Sequence, residues 1–341
     1  MVFGTEIKKL FQMMLLRQSQ IKWLILSVFL FFLLSTLSMF QVITSKCNNS
    51  AAECSCKDTK SHKDVVDTPT KELSDHKLCI IVPFRDRFEE LLEFAPYMKT
   101  FLHNQAVQNE VWVVNQADKF RFNRAYLINV GFHESSPSCD YIAMHDVDLL
   151  PQNPDLLYKY PEKGPLHISS SELHPKYDYP TFLGGILLIS RQHYAQVDGM
   201  SNKYWGWGQE DDEFYVRMRQ AGISIDRPAG IRTGREGSFR HTHSSKERKR
   251  DNAKCYNQRN LTRRRDRQTG LAKTAFAYKV ISKRQLVVDG APVTFLDIHL
   301  ECDRKMTPWC NCTGAPPDKN TPDRTRDDDV IVPLLPKKKK T

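Results

Sequence analysis

Glycine and proline are scarce, 15 and 18 of 341 residues, which excludes a collagen-like or low-complexity polymer. Nine cysteines are too sparse for a disulfide miniprotein, and no Cys-x-x-Cys pair occurs, which argues against a zinc ribbon. No internal repeat is visible. Hydrophobic residues at 40% exclude a wholly disordered chain, and the length allows one large or two ordinary domains. Charge is unbalanced: 50 Lys and Arg face 40 Asp and Glu, a net +10. Such an excess fits a phosphate-rich, sulfated or acidic partner, or a membrane surface.

Charge is missing altogether from residues 23–45, a run of 23 residues dense in Leu and Phe. As a helix it reaches roughly 34 Å, enough for a hydrocarbon core of about 30 Å. It is longer than a signal h-region, lacks a small-x-small cleavage site before Lys46, and has no polar face to suit a core helix. Lys8, Lys9, Arg17 and Lys22 precede it against Glu6 alone. The positive-inside bias therefore keeps residues 1–22 cytosolic and sends the rest into an oxidising lumen, a single-pass type II arrangement. Sequons at Asn48 and Asn260 agree with that side of the membrane; a third, Asn311, lies between two cysteines. Residues 46–77, rich in Ser, Thr, Lys and Asp, read as a lumenal stem, and 313–341 as a solvated, disordered tail.

Regular structure is expected over 78–312. Leu78-Cys79-Ile80-Ile81-Val82 is a buried parallel-type strand. Helical spacing covers 86–103 with Pro96 inside it, a second strand lies at 111–114, a helix at 121–132, and a third strand at 141–144. Alternating strands and helices predict an α/β sheet with its ligand site at the strand C-terminal ends. Between Arg232 and Arg267, 13 Lys and Arg oppose four acids, a net +9. In a lumenal domain no nucleic acid is the partner. The functional reading is attraction of a nucleotide diphosphate or an acidic acceptor; the plainer one is a solvated basic surface.

Asp146-Val147-Asp148 follows the third strand directly. Carboxylates at i and i+2 share a side, and hard oxygen ligands suit Mg²⁺ or Mn²⁺. His241-Thr242-His243 repeats that spacing with imidazoles, which favour Mn²⁺ over Mg²⁺, so Asp148, His241 and His243 are the candidate ligands. Trp205-Gly206-Trp207-Gly208 runs into Glu210, Asp211, Asp212 and Glu213, with an apolar helix starting at Phe214. Aromatic faces stack on sugar rings and a carboxylate there can take a hydroxyl proton, although four acids also suit a helix N-terminus. Pro83-Phe84-Arg85-Asp86-Arg87 leaves the first strand, and Phe122-Asn123-Arg124 opens a helix; both combine an aromatic ring with guanidinium, as a uridine diphosphate site would.

In this order the motifs resemble the β-1,4-galactosyltransferase family, over about residues 78–312. Gly184-Gly185 and the 205–213 run complete the set. His241-Thr242-His243 and Thr307-Pro308-Trp309-Cys310 resemble the branch that acts on xylosylated proteins. The resemblance implies a GT-A fold, UDP-galactose as donor, Mn²⁺ as cofactor, and residence in the Golgi membrane. It implies transfer to the 4-hydroxyl of xylose on proteoglycan core proteins, with inversion. By motif, Asp148, His241 and His243 hold Mn²⁺, and Pro83, Phe84, Arg85, Arg87, Phe122, Arg124, Asp146 and Val147 hold UDP. Gly185, Trp207, Glu210 and Asp212 border the sugars, Tyr177 and Tyr179 contact xylose, and Asp211 is the general base. Phe182 departs from the Tyr of several relatives, which bears on selectivity for the donor 2-substituent. Cys302 with Cys310, and Cys255 with Cys312, fit the family's disulfide pattern. The rival readings are a related inverting transferase using UDP-N-acetylgalactosamine or an N-acetylglucosamine acceptor, and a membrane-anchored glycan-binding protein without catalysis.

Overall fold

The apolar run at Leu78 becomes β1 (Lys77–Phe84), and every residue after Lys77 in it is buried. Side chains alternate across a pleated strand. Cys79 and Ile81 therefore enter one core, while Leu78, Ile80, Val82 and Phe84 enter the other. β2 (Gln108–Gln116) and β3 (Tyr141–His145) divide in the same way. A strand wetted on neither face has no need of polar alternation, hence the continuous hydrophobic runs. The computed structural model describes residues 73–315 apart from 136, 245–247 and 275–276. These all fall within the compact unit Pro69–Thr341. Residues 1–22, the apolar run 23–45, most of the stem, Asn48 and the tail beyond 315 lie outside them. Among the described residues no helix is long and apolar enough to cross a membrane.

α1 (Phe88–His103) covers one face of the sheet with Leu91, Phe94, Ala95, Met98 and Leu102, a spacing that keeps them on one stripe. α2 (Arg124–Glu134) covers the other and is buried along most of its length. It starts at Arg124, later than the pattern predicts, because the Asn123 side chain caps it by accepting from the Tyr126 N–H. Gly131 lets α2 sit close to the sheet: a β-carbon there would lie 3.1 Å from Val114 and within contact of Ile81.

β5 (Leu166–His167), β6 (Ile186–Ser190), β8 (Tyr278–Val288) and β9 (Ala291–Leu300) complete a mixed sheet in the order β5-β6-β3-β1-β2-β9-β8. β3, β1, β2 and β9 are parallel; β6 and β8 run antiparallel to them, and β5 pairs antiparallel to β6. The chain leaves β1 for β2 on one side and returns to β3 on the other. Strand order therefore reverses at β1, which opens a crevice beyond the C-terminal ends of β1 and β3. A small sheet of β4 (Leu149–Pro151) and β7 (Phe239–His241) stands beside it, with Leu149 opposite His241.

The remaining helices are α3 (Arg191–Gln196), α4 (Glu210–Gln220), α5 (Gly234–Ser238), α6 (Gln258–Leu261) and α7 (Leu271–Thr274). The expected start of α4 at Phe214 is four residues late: all four acids belong to its first turn, where the helix dipole favours them. A buried ion pair pins this helix. Arg217 Nε donates to both Glu213 oxygens at 2.9 Å, and its other nitrogens bond the carbonyls of Asp198, Gly199, Asp266 and Thr269. Disulfides join Cys255 to Cys312 and Cys302 to Cys310, the two pairs anticipated, and also Cys79 to Cys139, which the sequence reading missed.

Candidate active site

Asp146, Val147 and Asp148 leave β3 at the crevice, and the short β4–β7 ladder brings the histidine segment to them. The Thr242 N–H donates to the Asp148 carbonyl at 2.8 Å. Asp148 Oδ2 lies 3.3 Å from His243 Nδ1, and the His241 and His243 rings are 5.8 Å apart. Arg87, from the loop after β1, reaches the same point, with Nη1 3.6 Å from Asp148 Oδ2 and 3.3 Å from His243 Nδ1. Burial lowers the pKa of both imidazoles and raises that of Asp148, to which Asp146 adds. Neutral imidazole is the ligating form. One carboxylate, two neutral imidazoles and a buried His243 Nε2 without a hydrogen-bond partner together fit a borderline divalent metal. The donors are adjacent rather than converged. Among the described residues the trio with ligand atoms within 4.8 Å of one another is Cys79, Glu110 and Cys139, where a disulfide consumes both thiols.

The second half of the site is built on α4. Gly184 packs so closely that a β-carbon would lie 2.9 Å from Asp211 Oδ2 and 2.6 Å from the Phe182 ring. Gly185, at φ 78°, passes its carbonyl to the Asp146 N–H at 3.1 Å. Arg124 Nε donates to Asp146 Oδ1 at 2.7 Å and also feels the charges of Glu210 and Asp211. Burial, then the neighbouring acid, pushes Glu210 and Asp211 up to about 7 and Asp212 up to about 6. Glu210 Oε2 and Asp212 Oδ1 are buried without partners. Three carboxyls held near neutrality in a crevice are proton-transfer chemistry in waiting.

The aromatic residues divide. Trp207 is 45% exposed beside these acids, with Arg250 4.6 Å over its ring. Trp205, read from sequence as a second sugar face, is core instead, edge-on to Phe120 and Tyr126. Tyr177 and Tyr179 flank Phe182 at 5.0 and 5.5 Å, and Tyr179 lies in the field of Asp211 and Asp212.

The loop after β1 also needs correction. Phe84 is fully buried against Phe88 and Phe295, so its ring is core rather than a nucleotide contact. Arg85 donates to the carbonyls of Gln116, Phe120 and Asp118, which ties down the neighbouring loop instead of freeing a cation for phosphate. Pro83 and Val147 are buried too, while Phe122 is half-buried, 5.8 Å from the Arg85 guanidinium. Asn260 sits in α6 with its amide on Asn257.

Two family models match the chain. One, described as the N-terminal region of glycosyl transferase group 7, covers residues 35–161. The other, described as the N-terminal domain of galactosyltransferase, covers 164–242. Drosophila melanogaster β-1,4-galactosyltransferase 7 is 56% identical over 243 residues, 71% of this chain and 75% of that protein. The xylosylprotein 4-β-galactosyltransferase of Caenorhabditis elegans is 47% identical over 252 residues, 72% of this chain and 86% of that one. The chain belongs to the β-1,4-galactosyltransferase family. A solved structure of a Drosophila β-1,4-galactosyltransferase 7 mutant, in complex with manganese, UDP-Gal and xylobiose, is 55% identical with a TM-score of 0.68. It covers 70% of this chain and 99% of its own.

Within this β-1,4-galactosyltransferase chain, sequence reasoning missed the residues that hold others in place. The His174 Nδ1 accepts from the N–H groups of Lys176 and Tyr177, and its ring lies 6.1 Å from His241. It thereby ties the turn that carries Tyr177 to the histidine segment. Burial takes its pKa down to about 3, so it stays neutral. Ser169 and His167 both donate toward or contact the Gly184 carbonyl at 2.9 Å, bracing the diglycine. His145 bonds Tyr158 at 2.9 Å and fixes the end of β3. The only sequence trace of these was polar residues crowded between apolar runs.

Proposed function

We propose that this chain transfers galactose from UDP-galactose to the 4-hydroxyl of xylose on proteoglycan core proteins, with inversion and with Mn²⁺ as cofactor. The family and its named relatives support that reading. The observation that carries it is the pairing of a carboxylate–imidazole cluster at the end of β3 with a near-neutral aspartate on α4. The mixed sheet with its switch point at β1 supports a GT-A arrangement.

Asp148, His241 and His243 would hold Mn²⁺, which supplies positive charge against a departing diphosphate. Arg87 lines the same side and adds a fixed cation. Arg124 holds Asp146 in place and spreads its charge toward the α4 acids. Phe122 offers a half-buried ring for uracil, and Pro83, Phe84, Arg85 and Val147 shape the loop around it. Gly185 and Glu210 border the galactose. Trp207, Tyr177, Tyr179 and Asp212 receive the xylose, its C–H face on the exposed indole. Asp211 takes the proton of the attacking 4-hydroxyl, and attack from the side opposite UDP turns an α-linked donor into a β-linked product. General-base assistance is worth roughly 10²–10⁴-fold.

The same reading makes the protein a type II resident of the Golgi membrane. Residues 1–22 are then cytosolic, 23–45 the signal anchor, 46–77 the stem, 78–312 the lumenal catalytic domain and 313–341 a tail. The charge asymmetry around 23–45 supports this, and so do three disulfides in the described residues.

The deciding experiment is UDP release from UDP-galactose plus a β-xyloside, with and without Mn²⁺. Release that needs both the acceptor and the metal is expected. Equal turnover in chelator would refute the proposal, and a preference for UDP-N-acetylgalactosamine would move the chain to the rival donor class. Asp211→Asn keeps UDP binding, measured by calorimetry, and loses transfer by at least about a hundredfold.

A further inference from the structure

Trp207 stands between two glycines of positive φ, Gly206 at 82° and Gly208 at 100°, and it belongs to none of the apolar clusters of the core. Glycine restrains a chain least, so neither the local backbone nor core packing fixes this exposed indole. Segment 250–254 does. The Asp251 carbonyl accepts from the Trp207 N–H at 2.8 Å, and Lys254 Nζ donates to the Trp207 carbonyl at 3.1 Å. The Arg250 guanidinium lies 4.6 Å from the ring centroid. The N–H, the carbonyl and one face of the indole are thus all engaged by one short stretch of chain.

That stretch has no regular secondary structure, so it needs an anchor of its own, and Arg121 supplies it. Arg121 Nε donates to Asp251 Oδ2 at 2.6 Å and Nη2 to Oδ1 at 3.0 Å, a two-pronged pair, and Nη2 also bonds the Ala253 carbonyl at 2.5 Å. Behind it, Nη1 reaches Gln258 Oε1 at 2.9 Å and the Trp309 carbonyl at 3.1 Å, and the Arg121 N–H donates to the Cys310 carbonyl at 2.9 Å. Its side chain is 9% exposed, so the pair is shielded on the arginine side. The same guanidinium fills the space beside Gly206, where a β-carbon would overlap it. One arginine therefore touches both the residue before Trp207 and the segment that grips Trp207. Bidentate charge-assisted pairs are the stronger and more directional hydrogen bonds.

We propose that Arg121 and Asp251 are positioning residues for the acceptor: their ion pair holds segment 250–254, and that segment holds the Trp207 indole where the sugar ring lands. The inference rests on Trp207 being the acceptor platform, as proposed above. Neither residue touches the reacting atoms. The pair acts by keeping the platform in place before the sugar arrives, so it sets acceptor affinity and not the chemical step. An indole in place one-tenth of the time weakens the apparent affinity about tenfold, because binding draws only on the competent fraction.

The test uses the full chain in detergent with a β-xyloside as acceptor. Asp251→Ala should raise the KM for the xyloside about tenfold and leave kcat within about threefold, since an acceptor once bound sits on a placed indole. UDP affinity in Mn²⁺, measured by calorimetry, should be unchanged, because the residues proposed to hold UDP lie outside 250–254; it also reports an intact fold. Acrylamide quenching of Trp207, isolated by subtracting Trp207→Phe in the same background, should rise in Asp251→Ala. Asp251→Asn keeps one acceptor for the arginine and should fall between native and Ala in both KM and quenching, which keeps the proposal testable if the alanine variant fails to fold. Unchanged quenching, an unchanged KM, or a loss of UDP affinity equal to the loss of acceptor affinity overturns the assignment. Quenching reads the hold on Trp207 without catalysis, so a native protein that transfers to no acceptor defeats the proposed function instead.

Discussion

The acid trio on α4 makes a quantitative statement about pH. Asp211 is pushed up to about 7 by burial and then by the charge of Asp212, against the pull of Arg124. A general base works deprotonated. A carboxyl with its midpoint near 7 is about one-tenth ionised at pH 6 and about nine-tenths at pH 8, so kcat/KM climbs roughly tenfold over that interval. The assay is transfer to a β-xyloside at saturating UDP-galactose and Mn²⁺. Asp212→Asn removes the nearest like charge and makes the Asp211 proton easier to lose, so the rising limb moves to lower pH. The limb's position, not its height, is the readout, because the proposed function also places Asp212 beside the acceptor. Stability carries the same sign. With the folded pKa above the unfolded one, the proton stabilises the fold fully below about 4, and that contribution is lost as pH rises through about 7. A profile flat from pH 6 to 8, or an unmoved limb in Asp212→Asn, refutes the assignment of Asp211 as base.

Three further outcomes follow from named contacts. His243→Ala should raise the Mn²⁺ concentration needed for half-maximal activity, and an unchanged metal titration removes it from the ligand set. Gly131→Val should cost about 1–3 kcal/mol in urea unfolding, since a β-carbon there already crowds Val114 and Ile81; a neutral result would show that α2 can lift off the sheet. Cys79→Ser with Cys139→Ser frees a link across 60 residues, worth about 4 kcal/mol by loop-closure entropy, and thermal unfolding measures the loss.

Much of the fold was legible because β1, β2 and β3 are buried on both faces, which leaves an unmistakable apolar run, and because the motifs lie at their ends. Helix starts were less legible. α2 begins where Asn123 caps it, and α4 begins in an acidic stretch with no apolar stripe to announce it. Sequence chemistry grouped Asp148, His241 and His243 correctly in space, because i, i+2 spacing survives into an extended segment and the β4–β7 ladder does the rest. It failed where a residue type has two uses. Trp205 and Trp207 are near-identical in sequence context, yet Gly206, at φ 82°, breaks the extended geometry that would keep i and i+2 on one side, so one indole is buried and the other faces solvent. Arg85 and Arg87 differ in the same way, one spent on carbonyls and the other standing between Asp148 and His243. Ser169 and His167 act through the Gly184 carbonyl, 15 and 17 residues along the chain, a partnership no local pattern encodes, whereas His174 accepts from N–H groups only two and three residues on.

The two halves of the site are not independent, and the link is short. The Asp146 N–H donates to the Gly185 carbonyl, its carboxylate accepts from Arg124, and Arg124 is the cation that lowers both Glu210 and Asp211. Asp146 also raises its neighbour Asp148. Charge that arrives beside Asp148 is therefore felt at Asp146 first, and through Arg124 by the base. Positive charge there draws Asp146 away from sole reliance on Arg124, which leaves more of the guanidinium field for the α4 acids and favours the deprotonated Asp211. Under the proposed function the proton acceptor on α4 is therefore coupled electrostatically, through Asp146 and Arg124, to what binds beside Asp148, and the coupling is strong because the interior screens charge poorly.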